Sequence, residues 1–378
     1  MVNKNADILF YIWLAQCFPY GSVKPKQIVL NFNGNLKEFY ENIDTYAKQF
    51  DLTKLRIKKL KSRKPSDFVQ ILHACKKLKI KIVYFYDENY PKKLKAIDSA
   101  PIVLYYIGNL QATNQPSVAI VGTRKASAYG ISVAKKIATE LSINNITIVS
   151  GCAYGIDSSA HAGAVAANKP TISVLGTSIE RPYPSGSKTL KQQIIQNNGL
   201  IISEYAPATE VFPWLFPIRN RLIVGLSDKV IVVESPKQSG AMITAGIACD
   251  FGKKLFCVPP SNVFSSNNDG IKKCLKEGAS LLLDVSDVLN SFKFSNFLVP
   301  VKNKSEKQKF KTKTTKTTET LQKIPSELKA LFDLIDNNFD LDKAAQNLNL
   351  PIHRILEMLT QLEILSLIKK NGMCYHKI

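Results

Sequence analysis

No C-x-x-C pair occurs in the 378 residues, histidine numbers only four, and the cysteines are odd in number and scattered (Cys17, Cys75, Cys152, Cys249, Cys257, Cys274, Cys374). Zinc sites and disulfide frameworks both need closer pairing, so neither is expected, and the residues read as buried free thiols in a reducing cytoplasm. Long apolar runs are also missing. The run from Ile8 to Ala15 is too short to cross a bilayer and no A-x-A-like cleavage site follows it. No membrane insertion is expected, and the run reads as the first core helix of a domain in a cytoplasmic protein.

Arginine is scarce. Seven arginines stand beside 44 lysines, within 51 basic and 30 acidic residues, a net charge of +21. Lysine drift in a chain rich in Asn and Ile accounts for part of that excess; an anionic partner, nucleic acid first, accounts for it more sharply. With 45% apolar residues the chain can bury a large core, which excludes a disordered or collagen-like polymer and makes two or three domains the expectation. The excess is uneven: +10 over 1–114 (19 basic, 9 acidic), +5 over 115–290, +1 over 291–301, +6 over 302–323 and −1 over 324–378.

Helical patterns at Leu36 to Phe50 and Asp67 to Leu78 suggest a small helical domain over 1–78. Within it, Lys54, Arg56, Lys58, Lys59, Lys61, Arg63 and Lys64 place seven cations in eleven residues. A solvated helix face explains that run; a DNA-backbone contact is the sharper alternative. Two extended segments around a turn then lead into short apolar runs that alternate with helix-length segments. The runs are Val118–Val121, Ile146–Val149, Thr171–Leu175, Leu200–Ser203, Val230–Val233, Leu255–Val258 and Ser280–Leu283. Apolar residues fall consecutively in several of them, as in strands buried on both faces of a parallel sheet. The fold class is therefore α/β, a doubly wound, mostly parallel sheet over 79–290. A lysine-rich stretch within 291–323 can bury too little surface to fold and reads as a flexible linker. Over 324–378, three helical patterns and an Asn371-Gly372 turn give the layout of a winged helix.

Ligands of such sheets bind at the carboxyl ends of the strands. After the first run comes "VGTRKASAYG", which is not G-x-G-x-x-G, so no dinucleotide cofactor is expected, nor any other. Gly122, Thr123, Arg124 and Lys125 suit a phosphate held by backbone amides and a guanidinium, although a tight turn with a solvated Arg reads the same way. After the second run, Gly151 and Gly155 permit a sharp turn and Asp157 opens a helix, with His161 four residues on. No nucleophile motif accompanies that Asp and His, which read as orienting groups and not as a catalytic pair. Arg181 and Lys188 flank Tyr183-Pro184. Arg219 and Arg221 straddle Asn220 beside Phe212, Trp214 and Phe216, residues that read as phosphate forks and stacking platforms or simply as core. Ser239-Gly240 begins a further helix, another anion-ready end.

The stretches "VAIVGTRKAS-YG", "SGCAYGIDSSAH", "LGTSIERPYP", "ISEYAP", "FPIRNRLIVGLSD", "VVESPKQSGAMITA" and "GIKKCLKEGA" resemble, in order, the motifs of the DNA-processing protein A (DprA/Smf) family. The resemblance implies a Rossmann-like domain between a small helical (SAM-like) domain and a winged helix. It implies a cytoplasmic, non-enzymatic homodimer that binds single-stranded DNA and loads the RecA recombinase onto it, protecting incoming DNA in natural transformation. The family's loop arginine falls on Arg124. Its basic residue after the Tyr-Pro turn is absent, Ser185 standing there, and Lys188 is the substitute. Thr123, Tyr154, Pro260 and Lys272 also depart from the family's usual residues.

Two other classes compete. A Rossmann-like nucleoside-monophosphate phosphoribohydrolase needs P-G-G-x-G-T-x-x-E, which "SPKQSGAMITA" lacks. A winged-helix regulator of duplex DNA needs a basic module, whereas 324–378 holds six basic and seven acidic residues.

Overall fold

The computed structural model describes residues 4–295, 326–335, 341–348, 350–351, 354–355, 358–359, 361–362, 367–371 and 374–377. Two compact units divide near residue 299.

In the first unit, nine strands form one sheet: β1 (Lys81–Tyr84), β2 (Val103–Gly108), β3 (Ser117–Val121), β4 (Thr147–Ser150), β5 (Thr171–Val174), β6 (Leu200–Ser203), β7 (Lys229–Val232), β8 (Lys254–Cys257) and β9 (Ser280–Leu281). Their spatial order is β1-β2-β6-β5-β4-β3-β7-β8-β9. The seven strands from β6 to β9 pair in parallel, and all seven correspond to runs expected as strands. The hairpin of β1 and β2 adds an antiparallel edge through β2 and β6. Every residue of β3, β4, β5 and β6 is buried, which is why these strands lack polar alternation. Val118 and Ile120 pack on one face with Ala134, Leu141 and Ala160; Ala119 and Val121 pack on the other with Ile223, Val224 and Ala245. From β3 the chain steps outward to β4, β5 and β6, then returns to β7 on the opposite side, so the winding direction reverses between β3 and β7.

The N-terminal helices start with Lys4–Cys17, which contains the expected core run. The pattern over Leu36 to Phe50 breaks into two short helices, Leu36–Glu41 and Ile43–Ala47, meeting at Asn42, whose φ of −126° is not helical. Trp13, Phe39 and Leu60 share one continuous hydrophobic core with Val103 and Leu104 of β2, so the core runs across position 78. The basic run is the helix Lys54–Lys61, started by Thr53, whose Oγ1 accepts from Arg56 N at 3.3 Å.

The second unit contains the helices Ser326–Leu334 and Leu341–Leu348 and the antiparallel hairpin of β10 (Ile368–Asn371) and β11 (Cys374–Lys377). Leu331, Ile335, Leu359 and Ile368 belong to its core. The helix expected over 351–362 and Gly372 of the expected turn lie partly or wholly outside the described residues, as does the expected linker from residue 296 onward. Among the described residues, no helix is long and apolar enough to cross a membrane. Cys17, Cys75, Cys152, Cys249, Cys257 and Cys274 are free; five of these six are buried, and Cys249 departs from expectation by being exposed.

Candidate functional site

At the point where the winding reverses, the loops leaving β3 and β7 are tied by Thr123 N, which donates to Glu234 O at 2.7 Å. An open cavity of about 400 Å³ lies there, at the carboxyl ends of the strands, the place where open α/β sheets bind ligands. It gathers nine of the thirteen expected site residues: Gly122, Thr123, Arg124 and Lys125 from the first loop, Asp157 behind them, Arg219 and Asn220 along a wall, and Ser239 with Gly240 opposite.

Local chemistry shapes each edge. Gly155 has φ +77°, and a Cβ on it would stand 2.5 Å from Thr123 O, so only glycine lets the second loop close against the first. Ser239 Oγ caps the helix Gly240–Asp250 by accepting from Met242 N at 3.2 Å, and nothing lies within 4 Å of where a Gly240 Cβ would be. That helix end therefore turns its dipole toward open space. Glu234, buried at the end of β7, accepts from Ser127 N at 3.0 Å and Ser127 Oγ at 2.9 Å, anchoring the start of the helix Ala128–Ile143.

The cations divide into free and committed ones. Arg124 and Lys125 are exposed. The Arg124 guanidinium lies 5.4 Å from the Phe216 ring centroid and, among the described residues, forms no ion pair. Arg219 is only 4% exposed and is spent inside the protein, donating to Gly151 O at 2.8 Å and to Val174 O. The phosphate-fork reading of Arg219 is thereby replaced by a structural one: its side chain joins the ends of β4 and β5. Burial holds the Asp157 carboxyl above its ordinary range, opposed by the Arg219 charge and by hydrogen bonds such as that from Ala153 N. Asn220 is likewise buried and donates from Nδ2 to Gly240 O at 3.2 Å, steadying the capped helix.

Arg221 does not join the cavity. It is 7% exposed and makes two hydrogen bonds of 2.8 Å to the Glu204 carboxylate. Residues two apart on a helix lie on nearly opposite faces, so the helix Leu215–Gly225 cannot turn both arginines to one ligand. Gly151 lies against the Arg219 guanidinium, Gly155 supports the first loop from below, and exposed Lys188 starts the helix Lys188–Gln196 outside the cavity.

His161 is fully buried, with Nδ1 2.8 Å from Thr171 Oγ1, and burial pushes its imidazole down to about 3. It orients β5, whereas Asp157 orients the second loop, and the two do not form a pair. The aromatics separate as well. Phe216 is half-buried between Arg124 and Tyr183, but Phe212 and Trp214 are 42% and 51% exposed and stack on each other, 5.7 Å between centroids at 13°. Two participants escaped the sequence reasoning. Gln238 lines the cavity, and exposed Tyr154 links the second loop to the Tyr183-Pro184 turn, its hydroxyl 3.0 Å from Ser185 Oγ and accepting from Gly186 N at 3.3 Å. The departure of Tyr154 from the family's residue was the available signal.

The model of the DNA recombination-mediator protein A family matches residues 81–293, more than half of the chain and the whole of the sheet with its cavity. The chain belongs to this family. A DNA processing protein DprA of Streptococcus pneumoniae is 40% identical over 208 residues, covering 55% of this chain and 73% of that protein. The X-ray structure of DNA processing protein A from Streptococcus pneumoniae superposes with a TM-score of 0.63 at 30% identity, covering 75% of this chain and 97% of that one. That of DNA processing protein A from Helicobacter pylori, described for its single-stranded DNA binding mode, superposes with a TM-score of 0.52 at 32% identity, covering 57% and 96%. Family membership carries the DprA/Smf resemblance from motif to fold: four of the quoted motifs, those containing Arg124, Asp157, Arg219 and Ser239, line the cavity.

Proposed function

We propose that the chain binds single-stranded DNA in the cavity between the ends of β3 and β7 and delivers the strand to the RecA recombinase, acting as a cytoplasmic homodimer in natural transformation and recombination. The observation that carries the binding reading is Arg124, an exposed guanidinium beside an open, capped helix N-terminus. A phosphate placed there meets a planar fork and backbone N–H groups together. Phe212 and Trp214 offer exposed ring faces that any base can stack on, which suits a strand read without sequence preference. The single-stranded DNA binding of the Helicobacter pylori relative supports the substrate class. Recombinase delivery, dimerisation and the absence of catalysis rest on family membership. Gly151, Gly155, Asp157, Arg219 and Asn220 enter this function as scaffold, Arg221 stands outside it as a strut of the fold, and Gly122, Thr123, Arg124, Lys125, Lys188, Ser239 and Gly240 are the proposed contact set. The segment 324–378 is proposed to be a winged helix that contacts protein, in keeping with its net −1 charge.

The deciding experiment is a gel shift with single- and double-stranded oligonucleotides of equal length over a salt series, using the full chain, Arg124→Ala and a chain ending at residue 301. Single strands are expected to bind tighter, with Arg124→Ala lowering affinity about tenfold or more and reducing the salt slope by about 0.7, the loss of one phosphate contact. A duplex preference that disappears on truncation would overturn the reading in favour of a winged-helix regulator.

A further inference from the structure

The helix Lys54–Lys61 and the turn after it stand well away in sequence from the cavity loops, and no acidic residue occurs between Leu52 and Ser66. Elsewhere this chain offsets helical lysines in the ordinary way, at i,i+4: Lys37 with Glu41, Lys136 with Glu140 and Lys273 with Glu277. Here that device is missing. The fold uses three of the seven cations. Arg56 lies over the Phe18 ring at 4.9 Å and donates to Cys17 O, Lys61 pairs with Asp44, and Lys59 is half-buried. Lys54, Lys58, Arg63 and Lys64 are exposed, and none forms an ion pair among the described residues. Lys54 and Lys58, four apart on the helix, share one of its faces, and Lys59 feels Arg63 and Arg56 nearby: burial first, then those two charges, weaken its hold on its proton.

The element that carries them is held firmly. Fully buried Trp13 donates from Nε1 to Arg63 O at 2.9 Å and to Leu60 O at 3.3 Å, pinning the end of the helix to the core. A solvated face has no need of such unrelieved like charge on a fixed support. We infer that Lys54, Lys58, Arg63 and Lys64 form a second phosphate-binding surface, which holds the backbone of a single strand beyond the segment bound at the sheet. Charge complementarity selects the partner: lysine point charges bind phosphates without reading bases, and the helix offers no exposed aromatic ring for stacking. This inference rests on the reading that the chain binds single-stranded DNA and adds an electrostatic track outside the cavity.

The test compares the full chain with a Lys54→Gln, Lys58→Gln, Arg63→Gln, Lys64→Gln variant and a charge-retaining Lys54→Arg, Lys58→Arg, Lys64→Arg variant. Binding is measured by anisotropy over a salt series, with oligonucleotides of about 6 and about 60 nucleotides, shorter and far longer than a single binding groove covers. The glutamine variant should lose about 2 to 3 from the salt slope of the long strand and about tenfold or more in affinity, with the short strand unchanged. The arginine variant should match the parent. An unchanged long-strand slope overturns the inference. So does selective loss of binding to a poly-glutamate peptide with oligonucleotide binding intact, which would assign the surface to an acidic protein segment. Arg124→Ala reports on the cavity separately. If it leaves the short strand unaffected while the glutamine variant still loses slope, the cavity reading falls and the helix surface stands.

Discussion

The Arg219 guanidinium lies directly behind Gly151: it donates to Gly151 O at 2.8 Å, and a Cβ on that glycine would stand 2.5 Å from Nη2. The second loop of the site is therefore built around a buried cation, which also meets the end of β5 at Val174 O. Gly151 is required for close approach, and Arg219 is required because two strand-end carbonyls converge on it where water is excluded.

Replacing either buried arginine should cost stability for the same reason, with different functional consequences. Arg219→Ala strands two carbonyl groups and leaves the buried Asp157 carboxyl without its nearest cation; Arg221→Ala strands the Glu204 carboxylate. Breaking the buried Arg221–Glu204 pair costs about 3–5 kcal/mol, and each buried carbonyl stranded by Arg219→Ala costs about 1–3 kcal/mol. Urea unfolding should show both losses. In oligonucleotide titrations of the folded protein, Arg221→Ala should bind as the parent does and Arg219→Ala should bind more weakly, because only Arg219 supports the cavity loops.

Acid should weaken the fold through His161. Its folded imidazole titrates near 3 against an ordinary 6.5, because burial disfavours the charged form. Below about pH 6.5 the unfolded chain takes up a proton that the folded chain refuses, so this residue makes stability fall by about 1.4 kcal/mol per pH unit down to the folded value. A His161→Gln variant should show a correspondingly flatter profile of urea midpoint against pH between 6 and 4. Parallel profiles would show that the imidazole is not held neutral.

Trp214 should report strand binding. The other tryptophan, Trp13, is fully buried in the N-terminal core, so a fluorescence change on adding oligonucleotide comes from Trp214. Quenching is expected in the parent and absent in Trp214→Phe. Trp214→Ala should move stability by less than about 0.5 kcal/mol, as exposed positions do, while lowering affinity by about 1–3 kcal/mol, the worth of one stacked base. Unquenched emission at saturation would remove the stacking role.

Much of this was legible in the chain itself. The β-branched runs from Val118 to Leu283 announce buried parallel strands, because a strand covered on both faces has no polar side to alternate with. The glycine loops after the first two runs, with Arg124 between them, mark the ligand end, because such sheets bind there whatever the ligand. Seven motifs in order were sufficient to point to the family. The charge excess was a coarser guide: most of it lies outside the sheet, and the cavity is formed by a few residues.

What the sequence determined by itself is the sheet, its winding, and the loop that presents Arg124, since each depends on local pattern and near neighbours. Only the tertiary structure decided the fates of Arg219, Arg221 and His161. Whether an arginine faces solvent or core depends on which carbonyls and carboxylates other segments bring to it: Gly151, Val174 and Glu204 lie 68, 45 and 17 residues away. Spacing within the helix Leu215–Gly225 carries no record of those partners. Burial turned two expected ligand contacts into struts, and the same test of partners left Arg124 exposed and, among the described residues, without an ion pair at the mouth of the cavity.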